Sequence, residues 1–162
     1  MKLSAPTFPQ TPKQKGRAVY KHILVPTDGS KLSGRAVNEA VTLAQQLGAK
    51  VTLFHVAPWQ IWPVYSESAL MAQQPVGNFR AETERQAKAL LDKAAKRAGG
   101  DVKTKFELSD VPYEAIIKAV AKLKCDLVVM ASHGRRGVSG FLLGSETQKV
   151  LTHSKVPVLV VR

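Results

Sequence analysis

Hydrophobic and polar positions along this chain follow two different periods. Five short segments are apolar throughout or change between apolar and polar at every second residue, which is the period of a β-strand. They span residues 19–26, 50–57, 102–108, 127–131 and 156–162. Four longer segments repeat their apolar residues every three or four positions, as an amphipathic helix does. They span residues 33–47, 79–98, 112–123 and 145–153.

Strands and helices alternate along the whole of this pattern, and the alternation indicates the fold class. Strands joined by helices pair in parallel through right-handed connections, and the helices cover the two faces of the sheet. The sequence has no internal repeat, and a chain of 162 residues suits one domain. We therefore predict a single α/β domain over residues 19–162, with an open parallel sheet of five strands and helices on both faces.

Residues 1–18 have a different composition from the rest of the chain. They contain Pro6, Pro9 and Pro12 among polar and basic residues, and no acidic residue. Such a segment has too few apolar side chains to form a packed core. We expect a flexible basic tail.

The composition changes this picture in two ways. The 24 Lys and Arg residues outnumber the 12 Asp and Glu residues, giving a net charge of +12, which attracts anions in general without selecting a nucleotide, a nucleic acid or a membrane surface. Cys125 is the one cysteine, so it forms no internal disulfide, and we interpret it as a small core residue.

No apolar run approaches the ~20 residues of a membrane-spanning helix, and no signal-peptide pattern is present. We expect a soluble, cytoplasmic protein.

The most distinctive stretch follows the fourth predicted strand. Residues 131–145 read Ala-Ser-His-Gly-Arg-Arg-Gly-Val-Ser-Gly-Phe-Leu-Leu-Gly-Ser, so four glycines lie between a buried strand and a helix. Glycine takes positive φ easily and lets a ligand approach the main chain. The N–H groups of the first helical turn favour an anion, and Arg135 and Arg136 add positive charge. This arrangement predicts a phosphate site.

Ser145 is predicted to be the N-cap of the helix that follows this loop. Ser145-Glu-Thr-Gln148 has the spacing of a capping box. In the alternative interpretation, Ser145 only caps the helix and the glycines only shape a loop. The P-loop and G-x-G-x-x-G patterns of other nucleotide sites are absent.

Three further positions bear on a site at this edge of the sheet. Asp28 follows the first strand, and ligands bind at the carboxyl ends of parallel strands, so its carboxylate is a candidate ligand contact. Alternatively, Asp28 closes an Asx-turn or caps the next helix. His55 is interpreted as a packed core histidine. Trp59 and Trp62 lie in the irregular residues 58–78, and three roles are open for them. They cover the site, they pack against a second subunit, or they only hold a surface loop in place.

These motifs resemble the universal stress protein family. Gly134, nine residues and Gly144-Ser145 match its signature G-x-x-G-x9-G-[ST], except that Ala131 stands at the first glycine. Residues 23–30 (Ile-Leu-Val-Pro-Thr-Asp-Gly-Ser), 53–56 (Leu-Phe-His-Val) and 156–161 (Val-Pro-Val-Leu-Val-Val) resemble family segments in the same order. The resemblance extends over roughly residues 20 to 162.

The resemblance implies a Rossmann-like fold of the adenine nucleotide alpha hydrolase type, with strand order 3-2-1-4-5. It implies ATP as ligand, with any magnesium held mainly through the phosphates. Main-chain N–H groups of Gly134, Gly144 and Ser145 would hold the phosphates, helped by the hydroxyl groups of Ser145 and Thr147. Asp28 would contact the ribose and the main chain of Val56 the adenine. The residues expected at the nucleotide are Pro26, Thr27, Asp28, Val56, Met130, Ala131, His133, Gly134, Arg136, Gly137, Gly144, Ser145, Glu146 and Thr147.

Three classes of function remain open. The leading hypothesis is an ATP-binding module of stress response or signalling. The alternative is a scaffold of the same fold that binds protein partners without a nucleotide, since the family contains both kinds. Nucleic-acid binding ranks last because no recognised motif accompanies the charge, and we expect neither a specific nucleic acid nor a membrane as partner. The usual hydrolytic and metal-binding motifs are absent, so we assign no catalytic residue and no metal site and expect at most slow ATP hydrolysis, with His133 as the one imidazole in the loop.

The last predicted strand suggests a homodimer. Residues 156–161 are nearly all apolar, yet the expected strand order places them at an edge of the sheet. An apolar edge is an aggregation hazard unless it is covered. We expect two copies to pair antiparallel through residues 156–162. In the alternative, the edge stays exposed to solvent.

Overall fold

The computed structural model describes residues 19–59, 76–134 and 143–162. Over these residues five strands alternate with four helices, as the sequence predicts. The strands are β1 (His22–Pro26), β2 (Lys50–Ala57), β3 (Val102–Leu108), β4 (Leu127–Ala131) and β5 (Val158–Val161). The helices are α1 (Lys31–Leu47), α2 (Val76–Ala98), α3 (Pro112–Leu123) and α4 (Ser145–His153). The expected tail, Trp62, Arg135, Arg136, Gly137 and Gly140 lie outside the described residues.

The sheet is parallel, with strand order β3-β2-β1-β4-β5. This confirms the predicted fold class and strand order. The order reverses between β1 and β4, which pair directly through Leu24 and Val128. In open parallel sheets the carboxyl ends of the strands at such a point form a crevice where ligands bind. The loops after β1 and β4 therefore define the candidate site.

Helices cover both faces of the sheet. Neighbouring residues of a strand point to opposite faces, so adjacent residues of β1 belong to different parts of the core. Ile23 lies in a cluster with buried residues of α1 and with Leu91 of α2. Leu24 lies in a second cluster with Ile116 of α3 and Val150 of α4. The two clusters pack the central strands between helices on both faces.

The strand β1 begins at His22 rather than at residue 19. Val19 is 73% exposed. The N–H groups of Lys21 and His22 donate to the Asp126 carboxylate, at 2.8 Å and 2.9 Å. The Asp126 side chain thus accepts from main-chain N–H groups that a longer strand would use in pairing. The pairing of β1 with β2 therefore begins at His22.

The other boundaries also differ slightly from those predicted. Helix α1 begins at Lys31 because Ser30 caps it, its Oγ accepting the N–H of Ser33 at 3.2 Å. Helix α2 begins at Val76 rather than at residue 79, and β5 is shorter than residues 156–162. Pro112 is the first residue of α3, as predicted. Within the described ranges no helix is long and apolar enough to cross a membrane.

Candidate functional site

The loop after β1 places Asp28 at the carboxyl edge of the sheet. The Thr27 N–H donates to the Phe54 carbonyl at 2.9 Å, which extends the pairing of β1 with β2 by one residue. The Ser30 N–H donates to Asp28 Oδ1 at 3.0 Å. Asp28 therefore closes an Asx-turn, and Ser30, not Asp28, caps α1.

The start of α4 is fastened to the end of β4. The Ser132 N–H donates to the Val161 carbonyl of β5 at 2.8 Å, and the Ser132 carbonyl accepts the Gly144 N–H at 2.8 Å. Thr147 Oγ1 donates to the Ala131 carbonyl at 3.0 Å. These bonds bring the two described ends of the glycine loop together, one on each side of residues 135–142.

Gly134 lies against Asp28. A Cβ atom built on Gly134 would be 2.7 Å from Asp28 Oδ2, closer than real Cβ atoms come to other atoms. Gly134 is not among the glycines with positive φ, so the close approach, and not the backbone conformation, requires a glycine. The tertiary structure thus brings together two residues that the sequence predicted separately for the ribose and the phosphates.

Gly144 lies against His133. A Cβ atom on Gly144 would be 3.1 Å from the His133 Cα and 3.4 Å from the Ser132 carbonyl oxygen. Its φ of −62° is one that any residue adopts. Positive φ, one of the two expectations for these glycines, does not hold at Gly134 or Gly144. Each lies instead against another part of the protein, Gly134 against Asp28 and Gly144 against His133.

The prediction that Ser145 caps α4 is wrong. The N-cap is Gly144, Ser145 is the first helical residue, and no side chain accepts a hydrogen bond at this cap. The bond from Gly144 to Ser132 and its packing on His133 set the direction in which the chain enters the helix. The Gln148 N–H then donates to the Gly144 carbonyl at 2.9 Å. The helix end is positive and has no side-chain cap in the described part of the chain, which favours an anion.

Two of the residues expected at the nucleotide, Glu146 and Thr147, use their side-chain oxygens in hydrogen bonds within the protein. Glu146 Oε2 accepts the N–H of Tyr113 in α3 at 2.9 Å, and Oε1 accepts from Lys149 Nζ at 2.9 Å. The hydrogen bond that Lys149 donates to Glu146 raises the pKa of Lys149. Thr147 is buried and bonded to the main chain of β4. In the first turn of α4 this leaves Ser145 as the exposed hydroxyl.

Val56 lies past the last residue pair of β1 and β2. The main-chain groups of alternate residues in a strand point to the same side. Lys50 donates its N–H to the carbonyl of Lys21, just before β1, and the Phe54 carbonyl accepts from Thr27, just after it. Val56 therefore presents its N–H and C=O to the β1 side, beyond the final pair of Pro26 with Phe54. An adenine edge could approach β2 at this point.

The remaining expected residues have mainly structural surroundings. Met130 and Ala131 are buried in β4. His55 is buried and donates from Nδ1 to the Thr27 carbonyl at 2.8 Å, which confirms it as a core histidine. Among the described residues no group of three or more side chains could hold a metal ion.

Trp59 connects the end of β2 to two other elements. Its main-chain N–H donates to Oδ1 of Asp110, which follows β3, at 3.0 Å. The guanidinium carbon of Arg80 in α2 lies 5.2 Å from the centre of its ring. The ring itself is exposed. Of the roles considered for the tryptophans, these contacts support fixing a surface loop at Trp59.

Ser132 is a residue that the sequence did not single out. It is 5% exposed, its main chain joins β5 to Gly144, and its Oγ lies 3.1 Å from Nδ1 of His133. The available signal was its position beside His133. Its other partners are far away in the sequence and meet it only in the folded sheet.

A sequence profile of the universal stress protein family matches residues 19–162. This chain belongs to the universal stress protein family. Universal stress protein MJ0531 of Methanocaldococcus jannaschii is 31% identical to it over 147 residues, which cover 91% of this chain and 85% of the relative.

Solved structures of the family have the same fold. The structure of protein MJ0577 of Methanocaldococcus jannaschii has a TM-score of 0.70 at 28% identity and covers 88% of this chain and 95% of its own. A universal stress protein in complex with cAMP has a TM-score of 0.66 at 28% identity and covers 88% of this chain and 97% of its own. The family and the fold expected from the motifs are thus confirmed.

Proposed function

We propose that this universal stress protein binds an adenine nucleotide, ATP in particular, at the carboxyl ends of β1 and β4. The observation that carries the proposal is a continuous line of contacts. Asp28 touches Gly134, and the neighbouring His133 touches Gly144 at the N-terminus of α4. A nucleotide needs donors for its phosphates and an acceptor for its ribose hydroxyls, and this line offers both. The protein then acts as a nucleotide-dependent module of stress response or signalling.

Each part of the nucleotide has a group that suits it. The N–H groups at the start of α4, with the Ser145 hydroxyl, bind the phosphates. The Asp28 carboxylate accepts from the ribose, and the main chain of Val56 pairs with the adenine edge. A magnesium ion is held mainly through the phosphates. The cAMP complex of a related protein supports an adenine nucleotide over other anions.

The protein works as a homodimer through β5. That strand pairs with β4 on one side and forms an edge of the described sheet. Leu159 at this edge is 45% exposed, and Leu151 of α4 is also exposed. Antiparallel pairing of two such edges would satisfy open main-chain groups and cover these apolar side chains.

Replacing Gly144 with valine tests the phosphate assignment. The new side chain would start 3.1 Å from His133 Cα and displace the loop from the start of α4. We expect ATP affinity in calorimetry to fall by at least about tenfold, the loss of one or two hydrogen bonds to a charged group. Gly34→Val is the matched control, because Gly34 has open space around it, and it should bind ATP like the wild type.

The two hypotheses on function give different results. Mass spectrometry of small molecules released from the heat-denatured wild-type protein should detect an adenine nucleotide. Unchanged ATP affinity in a folded Gly144→Val variant would show that the phosphate assignment is wrong. A wild-type protein that binds no adenine nucleotide would support the scaffold alternative.

A further inference from the structure

The Ser132 hydroxyl is buried and has one partner in the described part of the chain. Ser132 is 5% exposed, and its Oγ lies 3.1 Å from Nδ1 of His133. The Ser132 hydroxyl forms no further hydrogen bond among the described residues. A buried hydroxyl group has a proton that needs an acceptor, because leaving it unpaired costs free energy.

This requirement selects one tautomer of His133. If Nδ1 carried the ring proton, it would donate to Ser132 Oγ, and the hydroxyl proton would lack an acceptor among the described residues. If Nδ1 is unprotonated, the hydroxyl donates to it and both groups are satisfied. The ring proton then resides on Nε2, the nitrogen on the opposite side of the ring.

His133 lies beside the end of α4. Gly144, the N-cap of α4, packs directly on the His133 backbone. The N–H groups at this helix end favour an anion. A His133 ring with its proton on Nε2 would add one further donor at the same place.

We infer that Ser132 is a positioning residue that holds His133 in the Nε2–H tautomer, so that His133 donates a hydrogen bond to a phosphate group at the N-terminus of α4. This inference rests on the proposed function, because the phosphate belongs to the nucleotide bound there. It adds a side-chain donor to the main-chain donors of the helix. Ser132 acts through His133 and does not itself contact the ligand.

A double-mutant cycle with two probes tests this role. AMP and adenosine differ in the phosphate, so their affinities, measured by calorimetry, separate phosphate binding from nucleoside binding. His133→Ala should weaken AMP by about tenfold, as for a lost hydrogen bond to a charged group, and leave adenosine unchanged. Ser132→Ala should weaken AMP less, by about two- to fivefold, because only part of the His133 rings then carry the proton on Nε2, and it should also leave adenosine unchanged. In the double variant AMP affinity should equal that of His133→Ala, because the serine has no effect once the imidazole is gone. Ser132→Thr, which keeps the hydroxyl, should restore AMP affinity.

Nitrogen NMR of the ligand-free protein gives a readout that does not depend on binding. The wild-type His133 should show a protonated Nε2 and an unprotonated Nδ1, and Ser132→Ala should show a mixture of tautomers. A wild-type ring protonated on Nδ1 would overturn the inference. So would a Ser132→Ala effect on AMP that adds to that of His133→Ala.

The outcomes also separate this inference from the proposed function. If the wild-type protein binds neither AMP nor adenosine, the proposed function is wrong. If the wild type prefers AMP and the variants keep the same preference, the nucleotide site stands and the positioning role is wrong.

Discussion

Gly134 shows at the scale of one residue how the site is assembled. Its missing Cβ leaves space for the Asp28 carboxylate, whose Oδ2 would lie 2.7 Å from such an atom. The carboxylate is also held by the Ser30 N–H through Oδ1. A side chain at residue 134 would therefore have to push Asp28 out of the position proposed for the ribose.

Gly134→Ala should weaken nucleoside binding. The added methyl displaces the Asp28 carboxylate, and adenosine affinity in calorimetry should fall by about tenfold, as for a lost charged hydrogen bond. Gly34→Ala makes the same chemical change where a Cβ meets nothing within 4 Å. It should leave adenosine affinity unchanged and raise helix stability by about 0.5–1 kcal/mol. Equal adenosine affinity in the two variants would contradict the role given to Asp28.

Cys125 makes the stability of the fold depend on pH in the alkaline range. It is 5% exposed, as the sequence predicted for a small core residue. Burial, with a smaller effect of the Asp126 carboxylate, raises the pKa of the thiol from 9.0 to about 11. Between about pH 9 and about pH 11 the unfolded chain has released the thiol proton while the folded chain retains it. The stability that the buried protonated thiol contributes is therefore complete below about pH 9 and is lost as the pH rises towards about 11.

The test compares the wild type with Cys125→Ala in urea unfolding. The free energy of unfolding of the wild type, relative to the variant, should decrease between about pH 8 and about pH 10.5. The variant provides the control because every other group titrates in both proteins. A difference that does not change with pH would show that the thiol has an ordinary pKa in the folded state.

At the scale of elements, α3 is capped from another helix. Its own N-cap residue, Val111, has no side-chain acceptor. Glu146 of α4 accepts the Tyr113 N–H at 2.9 Å, and a carboxylate at a helix N-terminus is favourable. This hydrogen bond links α3 to the first turn of the helix that is proposed to bind phosphate.

Glu146→Ala should destabilise the protein by about 1 kcal/mol, the usual effect of losing a helix cap. Glu114→Ala is the control. Glu114 lies in the first turn of α3 itself and forms an exposed ion pair with Lys118 at 3.4 Å. Losing such a pair costs less, about 0.5 kcal/mol. Urea unfolding of the two variants measures the difference. A loss no larger in Glu146→Ala than in Glu114→Ala would show that the contact between helices does not act as a cap.

At the scale of the whole molecule, the two edges of the sheet have different chemistry. The edge strand β3 carries the exposed residues Lys103 and Lys105, and charges of this kind protect an edge from pairing. The edge strand β5 carries Leu159 and three valines, Val158, Val160 and Val161. The difference supports β5, and not β3, as the surface on which two copies meet.

Leu159→Lys should prevent dimer formation. Burying a lysine in a paired apolar edge has a large free-energy cost, so sedimentation at micromolar concentration should show a dimer for the wild type and a monomer for the variant. Val19→Lys adds the same charge at an exposed apolar residue outside the sheet and should remain a dimer. A wild type that sediments as a monomer would rule out the proposed dimer.

The fold class and the place of the site could be predicted from the sequence because they depend on local periodicity. Apolar runs such as residues 127–131 and the helical spacing of residues 33–47 each specify an element from its own residues. Alternation of the elements then implies a parallel sheet, and the glycine loop and Asp28 follow strands at its carboxyl edge. The exact boundaries could not be predicted in this way, because side-chain hydrogen bonds of Ser30 and Asp126 set where α1 and β1 begin.

By itself, then, the sequence determined the α/β fold and the edge of the sheet where the candidate site lies, since these depend on residues close together in the chain. Only the tertiary structure decided that Gly144 and not Ser145 is the N-cap of α4, that Glu146 caps α3, and that Gly134 lies against Asp28. Each of these contacts joins segments far apart in the chain. Their distances depend on the order and register of strands packed between two layers of helices, and no local pattern encodes that geometry.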